Sequence, residues 1–373
     1  MKNIFHAFFT VPLFVLVLVS CAPEEGAEDS MIDFSALTSR PLAELPDEKI
    51  ASRVFIPMDT SRAEFLFDRV SDVKFRADRI YLLLWRRHND TRLLVFDRKG
   101  RGVQVLDRRG QGPGEYAQIS AFDVDEKGNI HIVDGQRDRL LVYDAQGRFV
   151  RGQDLPFEAD DLRALPTGDY LFVLCNWNRG VSAGSKVVLT GADLTVKRTY
   201  FRYPERVSAD MILDSNGFSD APGGMTALNE SMNDRVYLFD RQGALADSLG
   251  VDFGRFAIPE AKKADVEKNV AGNPAYRCLS GPSSVSGSFL AGRMYRGRKC
   301  SYVIDRREKI VYSDRETDDP DALSVIVGFS PQGDIVSCIA PEMLAGGRGA
   351  HIPQEVRAYV GDENYALCLT RLR

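Results

Sequence analysis

Phe122-Asp-Val-Asp-Glu-Lys-Gly-Asn-Ile-His-Ile-Val-Asp134, followed closely by Arg139-Leu-Leu-Val-Tyr-Asp-Ala-Gln-Gly-Arg-Phe149, holds three short apolar runs separated by tight polar turns. Runs of four to eight residues bounded by Asp, Asn and Gly read as β-strands. In Asp144-Ala-Gln-Gly147 the Asp caps its own backbone and the Gly takes the positive-φ position of a four-residue hairpin connection. The same strand and turn recur as Leu93-Leu-Val-Phe-Asp-Arg-Lys-Gly100 and as Val236-Tyr-Leu-Phe-Asp-Arg-Gln-Gly243. Asp97 and Asp144 are 47 residues apart, and Asp144 and Asp240 are 96 apart, so a degenerate copy is expected near residue 192. Lys186-Val-Val-Leu-Thr-Gly-Ala-Asp-Leu194 stands there. A later copy, Tyr302 to Lys309, is displaced by 65 residues from Asp240, which marks an insertion from about 258 to 280 whose Pro-Glu-Ala-Lys-Lys text is the most helix-like in the chain. A last unit, Ile326 to Val336, leads to the apolar run Tyr365 to Thr370.

A period near 48 with about four antiparallel strands per unit predicts an all-β fold, a six-bladed β-propeller, with seven blades as the alternative. Radial closure hides sheet edges, and Arg53-Val-Phe-Ile-Pro57 is the strand expected to close the ring beside Tyr365 to Thr370.

The first 20 residues carry Lys2 and an apolar stretch from Phe8 to Val19, too short to span a bilayer, and read as a signal peptide. Leu18-Val-Ser-Cys21 resembles a bacterial lipobox, which implies acyl chains such as palmitate on Cys21 and anchoring in the outer membrane. Residues 21–45 read as an acidic tether and 46–373 as the propeller. The acids after Cys21 resemble a surface-export signal and equally suit a solvated linker.

Three motifs carry a wider resemblance: Asp-x-x-Gly-Asn-Ile-x-Ile-x-Asp at 125–134, the Arg-Leu-Leu-Val-Tyr-Asp run after it, and Gly110-Gln-Gly-Pro-Gly-Glu-Tyr116. With them the chain resembles the six-bladed β-propeller lipoprotein family, related to NHL-repeat propellers. The resemblance implies a fold and a cell-envelope location on the periplasmic or surface side, and it implies no catalytic residue. Read physically, Gly110 to Gly114 supplies positive-φ positions in a rigid turn between blades.

Loops between the second and third strands of each unit should share one rim. They present Trp85, Arg86 and His88, then Arg137, then Asn176, Trp177 and Arg179, then Tyr295 and Arg296. Aromatic faces with planar donors around a shallow mouth suit a glycan, and the same rim suits a partner protein. A binding module is therefore expected, without catalytic residues or cofactor. A Ca²⁺-dependent propeller hydrolase or lyase, similar to gluconolactonase, is the alternative, with Asp134, Asn176, Asn229 and Glu230 as converging ligands. A scaffold in an envelope complex is a third reading. A net charge of -5 with no Lys/Arg run argues against a nucleic-acid partner. Five cysteines follow Cys21; Cys175, Cys338 and Cys368 read as buried apolar residues, and Cys278 and Cys300 flank the end of the insertion, where a bridge is left open.

Overall fold

The computed structural model describes residues 29–67, 70–86, 90–203, 217–230, 233–263, 265–314 and 321–373. The signal peptide, Cys21 and the first part of the tether lie outside them. The chain opens with three strands, β1 (Asp29–Asp33), β2 (Thr38–Pro41) and β3 (Ile50–Met58), that do not pair with one another. Blade 1 follows as β4 (Val70–Arg76), β5 (Arg79–Arg86), β6 (Asp90–Asp97) and β7 (Gly102–Leu106). Blade 2 is β8 (Ile119–Val124), β9 (Ile130–Asp134), β10 (Arg139–Tyr143) and β11 (Phe149–Asp154). Blade 3 is β12 (Ala159–Ala164), β13 (Tyr170–Leu174), β14 (Ser185–Thr190) and β15 (Val196–Arg202). Blade 4 is β16 (Gly217–Ala221), β17 (Met225–Glu230), β18 (Arg235–Phe239) and β19 (Leu245–Asp252). Blade 5 is β20 (Cys278–Ser286), β21 (Phe289–Tyr295), β22 (Lys299–Asp305) and β23 (Ile310–Ser313). Blade 6 comprises β24 (Ile326–Phe329), β25 (Ile335–Ile339) and β26 (Tyr365–Leu372), and its fourth strand is β3.

The predicted closure is present. Arg53 pairs with Thr370 and Pro57 with Ala366 in an antiparallel ladder, so an N-terminal strand completes the last blade. Asp59 N–H then donates to the Gly100 carbonyl at 2.9 Å, tying the closing strand to blade 1.

The segment read as a tether behaves differently. Residues 29–45 include β1, which adds parallel to β19 of blade 4, and β2, which adds parallel to β23 of blade 5. Ile32, Leu42 and Leu45 are its buried anchors, and they are too few and too irregularly spaced to produce a strand signal. The N-terminal chain is thus a belt across the outer edges of blades 4 and 5 that ends as the outer strand of blade 6. Such edges would otherwise expose unpaired backbone groups.

Between consecutive blades lies a separate apolar core, six in all among the described residues. The seam of blades 1 and 2, for example, joins Tyr81 and Leu93 to Phe122, Ile132 and Tyr143, and that of blades 3 and 4 joins Leu171 and Val187 to Phe218 and Phe239. The blade turns follow the predicted chemistry. Asp144 accepts from the backbone N–H of Gln146 and Arg148 at 3.0 and 2.9 Å while Gly147 sits at φ 72°.

Three further readings are resolved. The insertion forms two short helices, Glu260–Lys263 and Val266–Asn269, packed on blade 5. Cys278 and Cys300 are buried and form no disulfide with each other, and Cys175, Cys338 and Cys368 are likewise buried and unbridged. None of Gly110, Gly112 and Gly114 adopts positive φ. Their role is close approach: a Cβ on Gly114 would lie 2.7 Å from the Phe149 ring, and Gly112 N–H donates to the Glu115 carboxylate at 2.8 Å. The loop is nonetheless a rigid link between blades 1 and 2, because Tyr116 is fully buried and Arg137 Nη2 donates to the Gly110 carbonyl at 2.6 Å.

Candidate functional site

The six innermost strands surround the axis. In β4, β8, β12 and β24 the ladder to the second strand slips at the same place, after Val70, Ile119, Ala159 and Ile326. A bulge re-aims the residues that follow it, and here those of β4, β8 and β12 build a charged plug with Asp220 of the unbulged β16. Arg76 donates to Asp220 at 2.6 and 3.0 Å and to Asp123 at 3.0 Å, and Arg163 donates to Asp220 at 2.7 Å. Above them Lys74 Nζ reaches Asp72 at 3.0 Å and the Phe218 carbonyl at 3.3 Å. Asp161 accepts from the backbone N–H of Leu162 at 2.7 Å and of Phe218 at 2.6 Å, linking blade 3 to blade 4.

Burial and pairing push these carboxyls apart. Burial alone would raise Asp220, but Arg76 and Arg163 outweigh it and hold the carboxyl at about 2. Asp161 has only backbone donors and the more distant Lys74 charge, so burial lifts it to about 7. Asp160, whose nearest polar partner is the Cys175 thiol at 3.2 Å, is raised by burial as well.

The plug separates two cavities. One, about 330 Å³, is lined by the ends of the inner strands and by turn residues such as Arg98, Glu126 and Arg241. The other, about 670 Å³, opens where the inner strands begin and is lined by Asp72, Lys74, Asp160, Asp161, Arg293, Lys299 and Glu342 among others. This larger mouth lies on the rim carrying the loops between second and third strands. In blade 6 that connection is the helical segment containing Pro341–Leu344 and Gln354–Gly361.

The predicted rim residues divide. Trp177 is 58% exposed, and its indole N–H donates to Glu158 at 2.6 Å. Glu158 directly precedes β12, so the indole stands beside the strand that carries Asp160 and Asp161 to the cavity. Asn176 and Arg179 flank it, Arg179 exposed. Arg296 is half-buried in the turn of blade 5. Arg137, by contrast, is engaged with the carbonyls of Gly110 and Glu115. Tyr295 is buried at 5% exposure; its hydroxyl accepts from Gly272 N–H and donates to the Val270 carbonyl at 3.2 Å, so it anchors the insertion and offers no face to a ligand. The side chains of Trp85 and Arg86, and His88 entirely, lie outside the described residues.

The alternative Ca²⁺ ligands do not form a cage in the described structure. Asp134 accepts backbone N–H from Ala117 at 2.8 Å, Gln118 at 3.3 Å and Gln136 at 3.2 Å, which makes it a turn residue. Asn229 is buried with neither amide atom hydrogen-bonded, and the Glu230 side chain is outside the described residues. Among the described residues no group of three or more His, Cys, Asp or Glu is placed to hold a metal.

Sequence reasoning overlooked the axial charges, because Asp72, Lys74, Asp123, Asp161, Arg163 and Asp220 look like ordinary polar positions of alternating strands. Their one signal is that charges occupy equivalent inner-strand positions in blades 1 to 4.

Six sheets closed by an N-terminal strand around a plugged axis define a six-bladed β-propeller. The chain belongs to the DUF5128 family, a 6-bladed beta-propeller family whose model matches residues 28–324. No curated protein matches the chain. A solved "Putative exported protein" of Bacteroides fragilis NCTC 9343 is similar at 15% identity and TM-score 0.68, with 92% of this chain and 100% of that one covered. A member of the DUF4221 family from Bacteroides vulgatus ATCC 8482 is similar at 9% identity and TM-score 0.50, with 87% and 97% covered. At these identities the likeness is one of fold.

Proposed function

We propose that this protein is an exported lipoprotein of the outer membrane, anchored through Cys21, whose propeller binds a glycan at the larger mouth. The leader and the Leu-Val-Ser-Cys sequence support the anchor, and the description of the Bacteroides fragilis neighbour as exported agrees with it.

One observation carries the glycan reading: an exposed Trp177 fixed by Glu158, the residue just before the strand whose Asp160 and Asp161 line the cavity of about 670 Å³. A large aromatic ring left in water costs hydration free energy, and one held by a hydrogen bond in that position is ready to stack on the apolar face of a sugar. Carboxyls around it accept from ring hydroxyls.

In a thermal-shift screen of the chain from Cys21 onward against neutral and charged oligosaccharides, a bound glycan raises Tm. Trp177→Ala abolishes that shift and changes the stability of the free protein by less than about 0.5 kcal/mol, as expected at a surface position. A shift that survives the substitution refutes the site. Cys21→Ser in the producing cell moves the protein from the membrane fraction to the soluble one; unchanged fractionation refutes the anchor.

A further inference from the structure

The smaller cavity, about 330 Å³ at the other end of the axial plug, takes no part in the glycan reading, and two plug arginines of unequal standing line it. Arg76 is saturated. Its Nε donates to the Val124 carbonyl at 3.0 Å, its Nη1 to the Phe75 carbonyl at 3.0 Å and to Asp220 at 2.6 Å, and its Nη2 to Asp123 and Asp220 at 3.0 Å each. Arg163 uses a single nitrogen. Its Nη1 reaches Asp220 at 2.7 Å and Asp123 at 3.5 Å, while Nε and Nη2 have no acceptor, although the side chain is only 5% exposed. Buried donors are almost always paired, so an unbonded N–H on Nε and two more on Nη2 are an exception with a cost. Arg163 lines this cavity and not the larger one. A guanidinium is flat, and its Nε–H and one Nη2–H point the same way from one edge, the fork that a carboxylate fits.

The acids of this cavity are already engaged. Asp220 is held by both plug arginines, Glu126 accepts from Arg241 at 2.6 Å, and Asp125 accepts from Asn129 at 2.8 Å and stands 3.4 Å from the His131 ring. Arg98, in the turn after β6, is unmatched. It donates to the Ala77 carbonyl at 3.2 and 2.7 Å, lies 5.0 Å from the Phe75 ring and makes no ion pair among the described residues. Between the charges the wall is apolar, with Phe75, Leu165, Pro166 and Met225.

We propose that this cavity binds a small organic carboxylate. Its two oxygens accept from the Nε–Nη2 edge of Arg163, Arg98 supplies the balancing positive charge, and its hydrocarbon part lies along the apolar wall. A neutral amide offers one acceptor and no charge, and inorganic phosphate matches the fork but gains nothing from the apolar side chains.

The test is a thermal-shift titration of the chain from Cys21 onward with acetate, butyrate and benzoate, all at one ionic strength so that screening is constant. Benzamide serves as the neutral counterpart of benzoate, and inorganic phosphate as the anion without an apolar body. Tm rises with benzoate and butyrate, less with acetate and phosphate, and not with benzamide. Arg163→Lys keeps a positive charge beside Asp220 but removes the fork, and weakens benzoate about tenfold, the loss of one charge-assisted contact. Arg98→Gln, in a half-buried turn outside the plug, weakens benzoate as well and reports the site should Arg163→Lys lower the Tm of the free protein. Equal shifts from benzamide and benzoate, a benzoate shift that survives both substitutions, a response to phosphate alone, or no shift with any carboxylate overturns the assignment.

Discussion

At the residue scale, the repeat is written in single turns. Glycine occupies the positive-φ position in Asp97–Gly100, Asp125–Gly128, Asp144–Gly147 and Asp240–Gly243, with φ between 72° and 82°. Where the copies degenerate, Leu194 and Lys309 adopt the same conformation at φ 67° and 55°. Leu194 is buried and contributes packing, but Lys309 is exposed. A left-handed conformation costs an L-residue with a Cβ about 1–2 kcal/mol, partly offset by glycine's larger unfolded entropy. Lys309→Gly therefore raises stability by about 0.5–1 kcal/mol, measurable by denaturant titration; a lowered midpoint would show that the lysine side chain matters more than its backbone.

At the element scale, the belt and the closing strand do different jobs. β3 pairs with β26 along its length and supplies Ile56 and Met58 to the seam with blade 1. β1 and β2 add only parallel edge pairings with a few buried anchors. Lys49 sits between the two roles, with Nζ at 2.7 Å from Asp305 and 2.8 Å from Glu308. A chain that starts at Asp47 keeps Lys49 and β3 and folds as a monomer with a lower Tm. A chain that starts at Asp59 loses the fourth strand of blade 6, exposes β26 and aggregates. Size-exclusion chromatography with circular dichroism separates these outcomes; two truncations that behave alike would mean that the belt is as necessary as the closing strand.

At the scale of the whole molecule, a few buried acids set the pH response, Asp161 and Asp220 on the inner strands and Asp234 and Asp314 farther out in blades 4 and 5. Burial raises Asp161, Asp234 and Asp314 to about 7, while an unfolded aspartate titrates near 3.8. From about pH 4 to 7 the folded state thus binds more protons than the unfolded one, so stability falls as pH rises through this window. Asp220 and Asp125 act in the opposite sense. Their burial is outweighed, for Asp220 by Arg76 and Arg163 and for Asp125 by the His131 ring 3.4 Å away and by hydrogen bonds from Asn129, and both sit at about 2. Their contribution is complete above pH 3.8 and disappears as pH falls through 2. Tm should accordingly peak between about pH 4 and 5 and decline toward pH 8. Asp161→Asn makes the alkaline decline shallower. Calorimetry from pH 3 to 8 checks both, and a Tm that climbs steadily to pH 8 would contradict the assignment of these buried acids.

Local chemistry and its period were enough to read the blades. Asp-x-x-Gly turns, apolar runs and a spacing near 48 determined six four-stranded units, and the N-terminal closing strand followed from the need to hide an edge. Each of these signals is contained within one blade or repeats from blade to blade. The belt, the axial plug and the rim were decided by tertiary structure. β1 and β2 are strands only because blades 4 and 5 present edges about 200 to 270 residues away in sequence. Arg76, Asp123, Arg163 and Asp220 become one network because the inner strands of four separate blades, three of them bulged, bring them to a common axis. On the rim, sequence could not distinguish Trp177 from Tyr295, since both are aromatic residues near turns. Packing distinguished them: the insertion covers Tyr295, and Trp177 stays exposed among the described residues.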